Sequence, residues 1–556
     1  MRPGAFAPSP HVPDLSKREG LELHPFTGLF LIIFSAILFA ASFPNPLFLW
    51  GLWPLAFVCL APLFVIVRRT RLLFLFPYGF VWGALSCGLT NGWLIAYHPL
   101  AIFIGPFVIG VQMMLLLPLL GVVAKALPSL GWLLLPIAWV AYEYVKTLGF
   151  LGYPYGILGY TQFYVGPLVQ AASVTGVWGP SFLTALSGAI LGWFLDWHKP
   201  LAPRLPADVR QRFIVAFGLW GLLLVFCCAI GLVTRADSKS WQTARISLIQ
   251  HNMDPWLGGT PTYRKSLSAL KRLSVEAIKD KPQLVVWSET AFIPAIAWHL
   301  RFREDPERLE LVEDLLAFLK AQPVPYVFGT DDGEPEPGGT KRMDYNAVAL
   351  WDKAHLVGTY RKVHLVPFSE YFPFKEQLPA IYQWLEDNRT TFWEPGKDFS
   401  VFDAAGFRFG TPVCFEDSFG YISREFVRKG AQIIVNVTND TWSASETAAM
   451  QHLAMATFRT TETGRTMVRA TNGGMTALIL PDGSISKMIP AFSEGVLTVD
   501  APIYKGTSET LYVRWGDWLA YVFCLLAVLG LVTGFIRYTL SWLTARAQTH
   551  NIRNED

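Results

Sequence analysis

Charge is scarce in this sequence. Of 556 residues only 16% are Asp, Glu, Lys or Arg, against 52% hydrophobic. Disorder is excluded, because it needs low hydrophobicity and high net charge. A wholly water-soluble enzyme is disfavoured, since about a quarter of its residues would be charged. Six cysteines are too few for a disulfide scaffold. A net charge of +3 gives nucleic acid no electrostatic handle. Internal repeats and low-complexity segments are also absent. The shortage of charge is local: residues 25–235 hold only 13 of the 89 charged side chains. A membrane section joined to a polar domain accounts for that distribution.

What is there instead is a series of apolar runs, each about 20 residues long, the length a helix needs to cross a bilayer. Breaks at Pro, Gly and polar residues divide the section into seven candidate spans, near 27–42, 47–67, 72–94, 100–124, 130–147, 168–195 and 213–233, with an eighth near 517–540. The expected organisation is a tail (1–24), seven spans within 25–235, a polar domain (236–515), an eighth span (516–540) and a second tail (541–556). Ala40, Ala41 and Ser42 make a poor cleavage site, so the tail is expected to stay on. Lys17, Arg18, Arg68, Arg69, Arg71, Lys125, Lys199, Arg204, Arg210, Arg212 and Arg537 fall at alternate ends of the spans, and Lys146 alone dissents. Cationic loops stay in the cytoplasm. Both termini are therefore expected inside and the polar domain outside, which in a bacterium means the periplasm or the outer leaflet. Glu143 lies within a span, where a carboxyl is costly. It is either a functional group or an interfacial partner of Lys146.

From Ala244 onward the pattern changes to that of an α/β domain with mixed sheets. Strands are predicted at Arg245–Gln250, Leu284–Trp287, Tyr326–Gly329, Phe407–Val413 and Ala431–Val437, with a hairpin joining Asn346–Trp351 to Leu356–Tyr360. Helices fit Tyr263–Lys279, Glu307–Ala321 and Thr447–Thr463. Five cysteines fall in apolar spans and read as small buried hydrophobes. Cys414 is alone in the polar domain, between a strand and Phe415-Glu416-Asp417, where an elbow would expose a nucleophile. A thiol nucleophile needs a base and a cation. Glu289 and Lys362 close two other predicted strands, and strand ends can converge on one edge. His364 is an alternative base, two residues beyond Lys362 and on the same face of a strand. No His or Cys spacing fits a metal, and none is expected.

In order and context, Glu289, Lys362 and Cys414 resemble the carbon–nitrogen hydrolase, or nitrilase, superfamily. The joined membrane section, with Trp139-Val-Ala-Tyr-Glu143, Gly152-Tyr-Pro-Tyr155, Leu365-Val-Pro-Phe-Ser-Glu370, Asn439-Asp-Thr-Trp442 and Arg465 to Gly474, is similar to the apolipoprotein N-acyltransferases within it. The resemblance implies eight transmembrane helices carrying a nitrilase-like α-β-β-α sandwich. It implies Glu289 as general base, Lys362 with the Phe415 N–H as oxyanion donors, and Cys414 as thioester-forming nucleophile. Glu370 and Glu416 match carboxylates beside that triad, although a charge at a helix start explains Glu416 equally well. The implied donor is a phospholipid, the implied acceptor a diacylglyceryl apolipoprotein, and no cofactor is needed. Phe368, Tyr371, Trp393, Asn439 and Trp442 are the expected substrate-facing residues. The first three belong to an aromatic insertion that reads either as an arm dipping into the membrane interface or as core. Phe415 stands where the family favours Tyr, Thr457-Phe-Arg where it favours Arg-x-Arg, and Ser443 where an aromatic is common. Two other readings remain: a membrane-tethered amidase using the same triad, and a transporter or scaffold whose polar domain only binds.

Overall fold

The computed structural model describes residues 23–97, 99–149, 151–197, 207–255, 257–336, 338, 342–387 and 392–555. Most of the expected N-terminal tail, and Lys199 and Arg204 of the sixth loop, lie outside the described residues. The apolar runs fold as α1 (Pro25–Ser42), α2 (Ala61–Arg69), α3 (Leu72–Thr90), α4 (Ala101–Ala126), α5 (Gly131–Val145), α6 (Trp178–Trp197) and α7 (Ala207–Thr234). Large apolar side chains such as Leu73, Phe103, Leu222 and Val233 face outward, the pattern of helices whose outer surface meets lipid rather than water.

Two spans differ from expectation. The stretch near 47–67 forms a short 3₁₀ helix, Trp53–Phe57, and then α2, nine residues long. A nine-residue helix rises only about 14 Å, against a hydrocarbon core of about 30 Å. Pro54 and Pro62, each near a helix start, divide the run. The stretch near 168–195 begins its long helix only at Trp178, because Gly176 (φ +62°) ends the short turns before it.

The polar domain begins with β1 (Thr243–Gln250), α8 (Thr260–Ile278), β2 (Leu284–Trp287), α9 (Pro306–Lys320), β3 (Tyr326–Pro335), β4 (Arg342–Asp352) and β5 (His355–Arg361). It continues through α10 (Pro379–Asp387), β6 (Val401–Ala404), β7 (Phe407–Gly410), α11 (Gly420–Arg428), β8 (Ile433–Asn439) and α12 (Glu446–Thr463). It ends with β9 (Met467–Asn472), β10 (Ala477–Ile479), β11 (Ile485–Met488) and β12 (Gly495–Pro502), and α13 (Trp518–Glu555) follows. With α13, six of the described helices are long and apolar enough to cross a membrane, and α5 is a shorter apolar one.

Two six-stranded sheets result, in the orders β12-β1-β2-β3-β4-β5 and β11-β10-β9-β8-β7-β6. β1, β2 and β3 run parallel, as do β7, β8 and β9. Alternation decides the layers. Leu284 and Val286 point into the core shared with Ile434 and Val468 of the other sheet, while Val285 and Trp287 pack under Leu270 and Leu315 of the covering helices. Strands buried on both faces explain why these runs read as continuous apolar blocks.

α12 joins the two parts. Nearly every residue of it is buried. Gln451 donates to the carbonyls of Pro44 and Thr90, at 2.9 Å and 2.8 Å, and accepts from Trp93 at 3.0 Å. Phe458 packs edge-on against Tyr160. The membrane section therefore presses against the end of the sandwich that carries the loops after β7 and β8.

Candidate active site

Glu289 lies just past β2. Its backbone runs so close to β3 that only a hydrogen fits at Gly329, where a Cβ would stand 2.5 Å from the Glu289 Cα. Asn346, on β4, donates to Glu289 Oε1 at 2.8 Å. Lys362, one residue past β5, sets its Nζ 3.3 Å from Glu289 Oε1 and 2.7 Å from Glu370 Oε1. All three side chains are buried. Burial works against the ammonium, but Glu289 and Glu370 outweigh it and hold Lys362 above its ordinary value. Burial lifts Glu370, and Lys362 pulls it back.

Val413 bridges Val437 of β8, which carries the line of β7 up to Cys414. Cys414 then turns into the left-handed region (φ +49°) and opens a helical turn, Cys414–Ser418, ahead of α11. Its sulfur lies 3.9 Å from the Asn439 carbonyl. Burial and then Glu289 raise the thiol well above its ordinary value, while Lys362 opposes them. The resting group is a thiol that needs a base.

Glu416 faces inward from the same turn. It accepts from the amides of Val413, Val363 and His364 at 2.8, 2.7 and 3.0 Å, and from the Tyr360 hydroxyl at 2.9 Å. One carboxylate thus fastens the Cys414 turn to the end of the Lys362 strand. Burial pushes it up to about 7 against those hydrogen bonds. His364 turns its Nδ1 to the Tyr421 hydroxyl at 2.8 Å and packs at a tilt on Phe419, and burial and Lys362 push it down to about 4. Among the described residues, its ring nitrogens therefore meet a tyrosine and not the thiol.

The Asn439 side chain donates to Thr290 Oγ1 at 3.2 Å, beside Glu289, and its carbonyl accepts from Trp442 Nε1 at 2.9 Å. Trp442 in turn packs on Trp93 of the membrane section. Phe415 packs edge-on against Phe419. The aromatic insertion is neither sheet core nor extended: Phe368, Phe372, Phe374, Tyr382 and Phe392 pack on one another, Phe368 half-exposed. Tyr371 lines a cavity of about 430 Å³ between the ends of α5 and α6 and the turn after Lys362, with Leu148, Ile157, Trp178, Leu365 and Phe419. Trp393 is tied to Glu370 through its backbone amide, 2.8 Å from the Glu370 carbonyl.

Asn346, Tyr360, His452 and Arg469 contact the site's charged groups and were not singled out from sequence. The one signal for the last two was polar residues in segments with no solvent face. Glu143 accepts from Trp139 Nε1, the Leu158 amide and Ser181. It staples α5 to α6 and to the loop between them, and no hydrogen bond to Lys146 is among its partners.

Two sheets in this order make a nitrilase-like carbon–nitrogen hydrolase domain joined to apolar helices, and the carbon–nitrogen hydrolase family model matches residues 245–504. A second model, the apolipoprotein N-acyltransferase N-terminal domain, matches residues 35–190. Apolipoprotein N-acyltransferase 1 of Treponema denticola is 40% identical over 524 residues, covering 91% of this chain and 95% of that protein. Apolipoprotein N-acyltransferase of Geobacter metallireducens is 31% identical over 509 residues, covering 89% and 93%. Among solved structures, a nitrilase-superfamily amidase from Nesterenkonia aligns with a TM-score of 0.33 at 19% identity, over 49% of this chain and 93% of that one. The chain belongs to the apolipoprotein N-acyltransferase family and is a multi-pass membrane protein.

Proposed function

We propose that this protein moves an acyl chain from a phospholipid to the free α-amine of a diacylglyceryl-cysteine at an apolipoprotein N-terminus, through a thioester on Cys414. The observation that carries this reading is the packing of the Cys414 neighbourhood onto membrane helices: Asn439 faces the sulfur, Trp442 binds Asn439, and Trp93 receives Trp442. An acyl chain costs about 0.8 kcal/mol per CH₂ to draw into water. A nucleophile that serves a phospholipid must therefore stand at the bilayer surface.

In the first half-reaction Glu289 takes the Cys414 proton as the sulfur attacks the ester carbonyl. The Lys362 ammonium and the Phe415 N–H hold the oxyanion. Collapse expels the lysophospholipid alkoxide, which takes the proton from Glu289 and leaves the thioester. In the second half-reaction the acceptor amine attacks the thioester and Glu289 accepts its proton. Collapse frees the Cys414 thiolate, which recovers that proton, and the product is an amide. Glu370 fixes the Lys362 ammonium, and Glu416 fixes the turn that carries the nucleophile.

The polar domain faces the periplasm in this reading, with both termini in the cytoplasm. Lys125 Nζ reaches the Arg68 carbonyl at 3.3 Å, so two basic loops share one end of the bundle. Pro44 and Thr90, which bind α12, belong to the opposite end. The cationic end is the cytoplasmic one.

The test uses detergent-solubilised full-length protein, a phospholipid with a labelled sn-1 chain and a diacylated lipopeptide with a free N-terminus. Label should appear in the lipopeptide as an amide. Cys414→Ala, Glu289→Gln and Lys362→Met should each slow that transfer at least about a hundredfold. Hydrolysis of a small amide with no labelled lipopeptide would overturn the reading in favour of an amidase.

A further inference from the structure

Four buried charges beside Cys414 have no part in the reaction as written. His452, on α12, meets a carboxylate at each ring nitrogen: Nε2 lies 2.8 Å from Asp417 Oδ1 and Nδ1 2.9 Å from Asp440 Oδ1. Arg469, on β9, reaches the same two carboxylates at 3.3 Å and 3.4 Å. All four side chains are buried. Asp417 belongs to the helical turn that Cys414 opens, and Asp440 follows Asn439, whose carbonyl faces the sulfur. Ligand atoms of Cys414, Asp440 and His452 lie within 4.8 Å of one another.

A neutral imidazole would turn a lone pair toward one of the two carboxylates at under 3 Å. Protonation at both nitrogens removes that repulsion, so the ring is an imidazolium. Burial works against this charge, but Asp417 and Asp440 outweigh it and hold His452 up at about 9. The Nε2 contact is an ion pair rather than an aligned hydrogen bond, since neither of its atoms meets hydrogen-bond geometry. With a carboxylate at each nitrogen, the imidazolium ring has no lone pair to offer a metal ion. Two anions and two cations make the quartet neutral.

That neutrality matters to the thiol. Glu289, Asp440 and Glu370 all oppose charge on Cys414, and Lys362 favours it. Tyr155, from the membrane section, also faces the quartet. We propose that His452 is a positioning residue for the nucleophile: it cancels the charge of Asp440 and, through Asp417, holds the turn of Cys414, so that the thiol can ionise among carboxylates. This rests on Cys414 being the nucleophile of the reading above.

The test is the pH dependence of Cys414 alkylation by iodoacetamide, read by peptide mass spectrometry on the full-length protein. It needs no lipid, so it reports separately from acyl transfer. His452→Gln leaves the quartet one charge negative. Its alkylation midpoint should rise by about one pH unit, with a rate at pH 7 about tenfold lower. Adding Asp440→Asn restores neutrality and should bring the midpoint back. An unmoved midpoint in His452→Gln, or a double variant as impaired as the single one, overturns the proposal in favour of a purely structural role. Should His452→Gln fail to fold, Asp440→Asn alone decides. A lowered midpoint supports the proposal, and an unchanged or raised one overturns it.

Discussion

The left-handed backbone at Cys414 costs on the order of 1–3 kcal/mol and persists only because its surroundings impose it. Glu416 is one restraint. It is bonded to donors alone, which suits a carboxylate and not an amide. Glu416→Gln would set an NH₂ against at least one of those donors. We expect a loss of about 1–3 kcal/mol in unfolding free energy, together with slower Cys414 alkylation, measured by thermal denaturation and by mass spectrometry. Unchanged stability would mean that the turn is held elsewhere. Cys414 was legible in the sequence because a single thiol between an apolar run and two acids has few bland explanations. Glu289 and Lys362 were legible as charges closing apolar runs. The grip of Glu416 on two backbone segments was not, because it depends on how far those segments lie apart in space and not on their spacing in the chain.

Among the elements, α12 shows most clearly what a hydropathy pattern conceals. A helix buried on every side has no polar face to mark its orientation. Its histidine, His452, therefore reads as ordinary until its partners are known. β12 escaped sequence reading for a related reason: it pairs with β1 across some 250 residues, Thr243 opposite Pro502, and four of its residues are only half-buried. α2 escaped because hydropathy does not register the breaks at Pro54 and Pro62.

Two predictions belong at this scale. His452 is raised in the folded state, so its stabilising contribution is full below its ordinary value near 6.5 and is lost as pH rises through about 9. The difference in melting temperature between the wild type and His452→Gln should therefore shrink between pH 7 and 10, and a constant difference would contradict the charge assignment. Leu378, just ahead of α10, and Ile381 and Trp384 on it are exposed beside the packed aromatic cluster. Replacing all three with Ser should weaken transfer from phospholipid vesicles several-fold, with little change in melting temperature. Undiminished transfer would reject the reading of this insertion as an arm dipping into the interface.

At the scale of the whole molecule, the membrane helices and the sandwich share one continuous core. Gln451 is a polar pin of that junction, since it satisfies two carbonyls of the membrane section and one indole. Gln451→Ala leaves buried groups unpaired and should cost about 1–3 kcal/mol. It should also lower acyl transfer more than Cys414 alkylation, because it loosens the seat of the Cys414 neighbourhood on the membrane section and not Cys414 itself. Equal losses in both assays would argue against that division.

The most direct test of the acyl-enzyme mechanism is the intact mass of the protein after exposure to phospholipid alone. A gain of one acyl chain, mapped to Cys414 and discharged on addition of a diacylated lipopeptide with a free amine, is the expected result. Transfer to the lipopeptide by a Cys414→Ser protein that never carries the adduct, or an adduct mapped to any other residue, would contradict it.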